Sequence, residues 1–187
     1  MSTSTKPLHL EDFIHEARAL RKREWCLEKF WDLVRRLNLT EDAIEEHVYF
    51  REDTYSRNLI VLTPQFEMLT LCWRPGQRTR IHDHMESFSV VKVIRGTCAN
   101  HIYERRDDGK RPGHADVTRV RTDLVAPGEY CSLDVGGIHE MENPAEAGED
   151  LVTLHFYAEP LREINVFVPP EQKVDRVRMR YSLEDRI

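Results

Sequence analysis

From about residue 55 onward, the chain is a succession of short segments rich in β-branched and aromatic residues, separated by residues that favour turns. Valine, isoleucine, threonine, tyrosine and phenylalanine favour strands, whereas glycine, proline, asparagine and aspartate interrupt them. Many short strands with this punctuation are typical of an antiparallel barrel or sandwich. The segments are RNLIVLT (57–63), FEMLTLCW (66–73), FSVVKVIR (88–95), TCANHIYE (97–104), ADVTRVRT (115–122) and LVTLHFY (151–157).

The first 50 residues have a helical periodicity instead. Apolar residues recur there every three or four positions in two stripes, and Thr40 favours the start of a third, short helix. Each stripe predicts a helix with one face against a core. The stripes are Leu10, Phe13, Ile14, Ala17 and Leu20, and then Cys26, Phe30, Leu33, Val34 and Leu37.

This order of elements, helices first and strands after, differs from the alternation of an α/β protein. We therefore predict a mainly β fold, in which a helical segment at about residues 9–50 precedes a jelly-roll-like β-barrel at about residues 55–170. The chain has 187 residues, with no internal repeat and no long linker. A single domain over residues 1–187 is expected at this length.

Composition restricts the partners and the compartment. The net charge of −6 opposes general binding to nucleic acid, which requires a basic surface. No apolar run approaches the ~20 residues of a membrane span, and residues 1–10 lack the apolar core of a signal peptide. The four cysteines are widely spaced, which is typical of free thiols in a reducing compartment. We expect a cytoplasmic monomer without nucleic-acid or membrane partners.

Three of the nine histidines form a candidate metal site. His82 and His84 in IHDH would point to the same face of an extended segment, and His139 lies in GGIHEMEN. An open site of three nitrogen ligands suits a catalytic divalent metal, whereas structural zinc usually has four protein ligands. Three neutral imidazoles leave the full +2 charge of the metal, which favours a thiolate ligand. The pattern mildly favours a thiol substrate, and it leaves the identity of the metal open among Fe(II), zinc and nickel.

Two further features indicate a site for a small anionic substrate. Thr153, His155 and Tyr157 alternate in LVTLHFY, so one strand face would carry a hydroxyl, an imidazole and a phenol in a hydrogen-bonded chain. The alternative is a half-polar strand face turned towards solvent. Arg57 stands among apolar residues at the start of a segment, where a guanidinium could bind a substrate carboxylate. The alternative for Arg57 is an exposed arginine at a sheet edge.

The residues around the histidines resemble the two-part signature of the cupins, G-x5-H-x-H-x3-4-E-x6-G and G-x5-P-x-G-x2-H-x3-N. The glycines at 76 and 96 fit the first part, and those at 128 and 136 fit the second with Asn143. Ser89 occupies the glutamate position, and Asp134 replaces the proline. The series YSRNLI, LCW-x8-HDH, the His139 block and TLHFY, from about residue 55 to 160, resembles the cysteine dioxygenase family, the thiol dioxygenase branch of the cupins.

The resemblance implies Fe(II) bound by the three histidines and L-cysteine bound to the iron through its sulfur and amine. Arg57 would pair with the substrate carboxylate, and Tyr55 and Trp73 would lie around the substrate. Tyr157, held by Thr153 and His155, would lie beside the thiolate and O2. Both oxygen atoms would be added to sulfur, which gives cysteine sulfinic acid.

The sequence departs from this family at two places. Animal members have a cysteine at the Ser89 position, which forms a thioether with the tyrosine, and a serine cannot form it. The family often has Ser-Pro-Pro after that tyrosine, with a cis proline bond, where this chain has Ala158-Glu159-Pro160. We expect a trans bond before Glu159, because a cis bond to a residue other than proline costs about 3 kcal/mol.

Two alternative functions remain. One is the same chemistry on 3-mercaptopropionate, but that branch typically has glutamine in place of the arginine, so Arg57 favours L-cysteine. The other is a non-catalytic metal-binding cupin that acts as a sensor, and such a protein has no need of a phenol beside an open metal.

Overall fold

The computed structural model describes residues 7–21 and 24–182. Two helices, α1 (Leu10–Ala19) and α2 (Leu27–Arg36), come first, and 3-10 helices lie at Asp42–His47, Ala145–Ala147 and Pro169–Glu171. Both apolar stripes therefore form helices, as predicted, and the third predicted helix is a 3-10 helix. The strands are β1 (Ser56–Leu62), β2 (Glu67–Trp73), β3 (His82–Asp83), β4 (Phe88–Arg95), β5 (Cys98–Arg105), β6 (Val117–Val125), β7 (Tyr130–Leu133), β8 (Ile138–Glu142), β9 (Leu151–Ala158), β10 (Glu163–Val168) and β11 (Lys173–Arg178).

The strands form two antiparallel sheets. One has the order β1-β2-β9-β4-β7, and the other has the order β11-β10-β3-β8-β5-β6. Sequence neighbours such as β2 and β3 lie in different sheets, so the chain crosses between the sheets and the two faces enclose one interior. This confirms the prediction of a mainly β, cupin-like barrel preceded by a helical segment.

The helices cover the outer face of the five-stranded sheet. The Phe13 ring of α1 lies edge-on to the rings of Phe66 and Phe156, with centroids 5.6 and 5.7 Å away. Phe30 of α2 is also fully buried in this cluster. Each such side chain contributes about 1.5–3 kcal/mol by burial, so the helical segment stabilises the sheet that carries the site.

Strand β9 lies at the centre of this sheet, between β2 and β4, and all eight of its residues are buried. Leu154 and Phe156 pack on the helical side. The alternate residues, from Thr153 to Tyr157, lie on the opposite face, within the barrel. The alternative in which this polar face meets solvent is therefore wrong, because a central strand covered on both sides has no solvent face.

The peptide bond between Ala158 and Glu159 is cis. The expectation of a trans bond was wrong. That expectation considered only the intrinsic preference of an isolated peptide. In the folded chain the end of β9 is held by distant residues: Ala158 pairs with Phe88, and the Ser87 hydroxyl donates a hydrogen bond of 2.7 Å to the Glu159 carbonyl.

The four cysteines, Cys26, Cys72, Cys98 and Cys131, are free thiols, as their spacing predicted. Within the described residues, no helix has both the length and the apolar character that a membrane span requires.

Candidate metal centre and substrate cavity

The three predicted metal ligands converge inside the barrel. Strand β3 supplies His82, the turn after it supplies His84, and β8 supplies His139 directly opposite His82. The Nε2 atom of His84 lies 3.3 Å from that of His82 and 3.2 Å from that of His139. All three side chains are buried. Residues 57 positions apart in the sequence thus meet because β3 and β8 are paired.

Neighbouring groups fix the orientation of two of these rings. The Nδ1–H of His82 donates to the Arg80 carbonyl at 2.8 Å, and the Nδ1–H of His139 donates to Oδ1 of Asn100 at 3.0 Å. A neutral imidazole that donates through Nδ1 has its lone pair on Nε2, the atom that points to the common centre. The sequence analysis missed Asn100, for which no motif gives a signal.

Burial keeps the three imidazoles neutral. It lowers the pKa of His82 to about 4 and the pKa values of His84 and His139 well below their ordinary value. At neutral pH each ring is then in the protonation state that a metal ligand requires.

The arrangement fits one divalent transition-metal ion. Two nitrogen atoms that each lie about 2.1 Å from one ion are about 3.0–3.4 Å apart, at angles from octahedral to tetrahedral. The observed separations of 3.2 and 3.3 Å fall within this range. In the described part of the chain, this cluster is made of imidazoles alone, without a carboxylate or a thiolate. Coordination positions are left for other ligands, which is the feature of a catalytic site.

A hydrogen-bonded chain leads along β9 to Tyr157. Thr153 Oγ1 lies 2.8 Å from Nε2 of His155, and Nδ1 of His155 lies 3.0 Å from the Tyr157 hydroxyl. The indole N–H of Trp73 donates to Thr153 at 2.9 Å and so extends the chain at its far end. The Tyr157 ring lies edge-on to His84, with centroids 5.1 Å apart, so its phenol is held beside the metal centre.

Burial raises the pKa of Tyr157. The phenol therefore keeps its proton at neutral pH and can act as a hydrogen-bond donor. Trp73, which the resemblance placed near the substrate, is fully buried and contacts Thr153. Tyr55 stacks on Trp73 with centroids 4.4 Å apart, and it does line the cavity.

Ser89 lies directly opposite Tyr157 in the neighbouring strand β4 and is fully buried. Facing residues on paired strands are in side-chain contact, so this is the position from which a cysteine could reach the tyrosine ring. Intact-mass spectrometry is therefore expected to give the mass of the unmodified chain, because the serine has no sulfur to form a thioether. A loss of two hydrogens that maps to Tyr157 and one of the four cysteines would contradict this prediction.

Arg57 is buried, with 7% of its surface exposed, and its guanidinium lies 5.8 Å from the centroid of the Tyr157 ring. Its position excludes the alternative of an exposed edge residue. Its Nη2 lies 3.6 Å from Oε1 of Glu67, and neither Nε nor Nη2 has a hydrogen-bond partner among the described residues. Buried donors are rarely left unpaired in folded proteins, so these two atoms suit an anionic ligand.

Glu67 is a buried carboxylate that the sequence analysis missed. It is fully enclosed at the start of β2, opposite Tyr157, and it accepts hydrogen bonds from the Leu161 N–H and the Tyr181 hydroxyl. It thus links Arg57 to the segment that follows β11. A single glutamate in an apolar segment gives no signal for this role.

A cavity of about 190 Å³ joins these groups. His82, His139, Arg57 and Tyr157 line its inner part, and residues 177–180 cover it. This covering segment is held by the Met179 N–H, which donates to the Arg162 carbonyl at 2.8 Å, and by the residues after it. No pattern in the sequence indicates that this segment covers the site.

The chain is similar to several known proteins. A family model described as cysteine dioxygenase type I matches residues 19–169. Cysteine dioxygenase type 1 of Danio rerio is 25% identical over 166 residues, which cover 87% of this chain and 80% of that protein. The Rattus norvegicus protein of the same name is 27% identical over 133 residues, which cover 71% of this chain and 64% of that protein. A Klebsiella pneumoniae protein with a double-stranded β-helix domain superposes with a TM-score of 0.49 and 16% identity, over 73% of this chain and 89% of that chain.

Proposed function

The chain belongs to the cysteine dioxygenase type I family, and from this we propose that it is an Fe(II)-dependent dioxygenase that adds both atoms of O2 to the sulfur of L-cysteine, with cysteine sulfinic acid as the product. The observation that carries the proposal is that three neutral histidines converge, two of them in the lining of the cavity, beside a buried arginine with unpaired donors and an oriented phenol. A binding module would have no use for that phenol beside an open metal.

His82, His84 and His139 would hold the iron, since their Nε2 atoms converge and all three rings are neutral. When bound, iron supplies the redox chemistry that allows O2 to react with a thiol. Three neutral ligands leave the ion its full +2 charge, which favours the thiolate form of the substrate and lowers its pKa.

Arg57 binds the substrate carboxylate in this proposal. Its two unpaired N–H groups can form a charge-assisted pair, and its burial removes the competition of water. Oε1 of Glu67 lies 3.6 Å from Nη2, and its negative charge helps to hold the guanidinium in place. With the carboxylate fixed there, the sulfur and amine of L-cysteine can reach the metal.

Tyr157 orients a proton at the reaction centre. His155 holds the phenol oxygen, Thr153 holds the imidazole of His155, and the indole N–H of Trp73 donates to Thr153. Because the phenol stays protonated, it can donate a hydrogen bond to the atoms on which charge develops. Such preorganised donors cost no reorganisation during the reaction.

The function is tested by oxygen uptake with purified protein whose metal content is known. Protein loaded with Fe(II) should consume O2 and convert L-cysteine to cysteine sulfinic acid, with a higher kcat/KM than for 3-mercaptopropionate, because the amine of L-cysteine offers the metal a further ligand. The reverse preference would assign the enzyme to the 3-mercaptopropionate branch. Tight iron binding without oxygen uptake on either thiol would indicate a metal-binding sensor.

Replacing Arg57 by alanine is expected to reduce kcat/KM for L-cysteine roughly 10- to 150-fold, the value of one charge-assisted pair. The loss should lie mainly in KM, since Arg57 contacts the substrate carboxylate and not the sulfur. Cysteamine, which is L-cysteine without the carboxylate, is the matched control, and its kcat/KM should change little. An equal loss for both thiols would contradict this role.

The proposal extends to location and assembly. We place the protein in the cytoplasm, where its four thiols stay reduced, and we propose that it acts there as a monomeric single domain. Its net charge of −6 opposes nucleic-acid partners.

A further inference from the structure

The cavity has an unusual charge distribution. Among the described residues that line it, four are arginines and none is acidic, in a chain whose net charge is −6. Arg57 is at the buried end, with Glu67 behind it. Arg80, Arg178 and Arg180 are exposed, and they form the outer part of the lining.

These three outer arginines have no ion pair with any residue in the ranges 7–21 and 24–182. Other exposed arginines nearby do have carboxylate partners. Arg176, on the same strand as Arg178, lies 4.0 Å from Glu163, and Arg78 lies 2.8 Å from Glu142. The shortage of negative charge is therefore confined to the cavity and does not extend to this side of the barrel.

The fold brings the three arginines together from two parts of the chain. Arg80 comes just before β3, Arg178 ends β11, and β10 lies between these two strands in the sheet. Arg180 follows in the covering segment, which the hydrogen bonds of Met179 and Tyr181 hold over the cavity. Burial raises the pKa of the Tyr55 phenol, and the positive charges of Arg57 and Arg80 both oppose that rise, so an inner and an outer arginine act on the same ring.

Three guanidinium groups around one opening repel each other, and an anion between them relieves that repulsion. One carboxylate of a ligand can pair with Arg57 at the inner end of the cavity. The three outer arginines are then available for a second carboxylate. We propose that Arg80, Arg178 and Arg180 form an outer anion subsite, which extends the substrates of this cavity to thiols with two carboxylates. The assignment of thiol substrates rests on the proposed function, whereas the anion subsite does not.

The subsite is tested by calorimetric titration of the metal-loaded protein with succinate and propionate, which differ by one carboxylate and have no thiol. Succinate should bind about 5- to 30-fold more tightly, a modest factor because exposed arginines are screened by solvent. The difference should shrink as salt is added. Equal affinities of the two acids for the wild-type protein would overturn the proposal.

The variant R178Q/R180Q should lose most of the succinate preference and change propionate binding less than about 2-fold, since Arg57 is intact. Arg176→Gln is the matched control, because Arg176 is on the same strand, is paired with Glu163 and does not line the cavity. It should leave both affinities unchanged. A succinate preference that survives in R178Q/R180Q and in Arg80→Gln would place the second carboxylate elsewhere and refute the subsite.

A measurement of activity distinguishes failure of the proposed subsite from failure of the proposed function. Mercaptosuccinate is 3-mercaptopropionate with one added carboxylate, and it should have the higher kcat/KM of the two, with the gain lost in R178Q/R180Q. If no thiol supports oxygen uptake while succinate is still preferred, the proposed function fails and the subsite stands. If 3-mercaptopropionate is oxidised at least as efficiently as mercaptosuccinate, the extension to thiols with two carboxylates is overturned.

Discussion

Replacing His139 by alanine is expected to remove most of the bound iron and to reduce oxygen uptake with L-cysteine at least ~100-fold. Loss of a group that only hydrogen-bonds to a metal ligand already lowers metal affinity or activity about 10- to 100-fold, and loss of a ligand should cost more. His139 supplies one of three converging nitrogen atoms, and Nε2 of His84 lies 3.2 Å from its Nε2. With two ligands left, the site has no third nitrogen to hold the ion. Elemental analysis and oxygen uptake on the same sample measure both effects.

His101→Gln is the control for this experiment. His101 is also a buried histidine, but its ring nitrogens contact Thr122 at 2.8 Å and Glu142 at 3.1 Å, away from the cavity. This variant should keep its iron. Full iron content and full turnover in His139→Ala would show that the metal site has been assigned to the wrong residues.

Replacing Tyr157 by phenylalanine is expected to keep the iron and to reduce turnover roughly 10- to 1000-fold, the range for the loss of one preorganised catalytic hydrogen bond. The change deletes only the hydroxyl that His155 holds at 3.0 Å and leaves the ring beside His84. Because Tyr157 is not a metal ligand in this proposal, the metal content should not change. The loss should appear in kcat more than in KM.

Tyr103→Phe is the matched control, because the Tyr103 hydroxyl contacts Glu140 at 3.2 Å and Tyr103 does not line the cavity. Its turnover should equal that of the wild-type protein. Unchanged turnover in Tyr157→Phe would reduce Tyr157 to a packing residue, and a loss of iron there would assign it to metal binding instead.

Local patterns in the sequence predicted much of the fold. The apolar stripes around Phe13 and Phe30 fall on the two helices, and the alternation in LVTLHFY gives the inner and outer faces of β9. The His82-Asp83-His84 motif and the separate short motif around His139 pointed to a metal site. In each case the information lies in residues a few positions apart, or in a short motif.

Other parts of the site depend on contacts between distant residues and could not be read from the sequence. Glu67 looks like any charged residue at the start of a strand until the fold encloses it. The arginines at 80, 178 and 180 share a cavity only because β10 joins β3 to β11. The conformation of the bond before Glu159 was predicted wrongly for the same reason, since its partners lie about 70 residues earlier in the chain.

The segment that covers the cavity has a consequence for biosynthesis. The Arg57 N–H donates to the Ser182 hydroxyl, 125 residues later in the chain, and the Tyr181 hydroxyl reaches back 114 residues to Glu67. A ribosome that adds about 5–20 residues per second needs roughly 6–25 s to travel from the first of these partners to the last. The nascent polypeptide contains all three histidines only in the last part of that interval, after residue 139 has been added. Translation that stopped short of residue 177 would release a chain with its metal ligands but with the binding chamber open to bulk water.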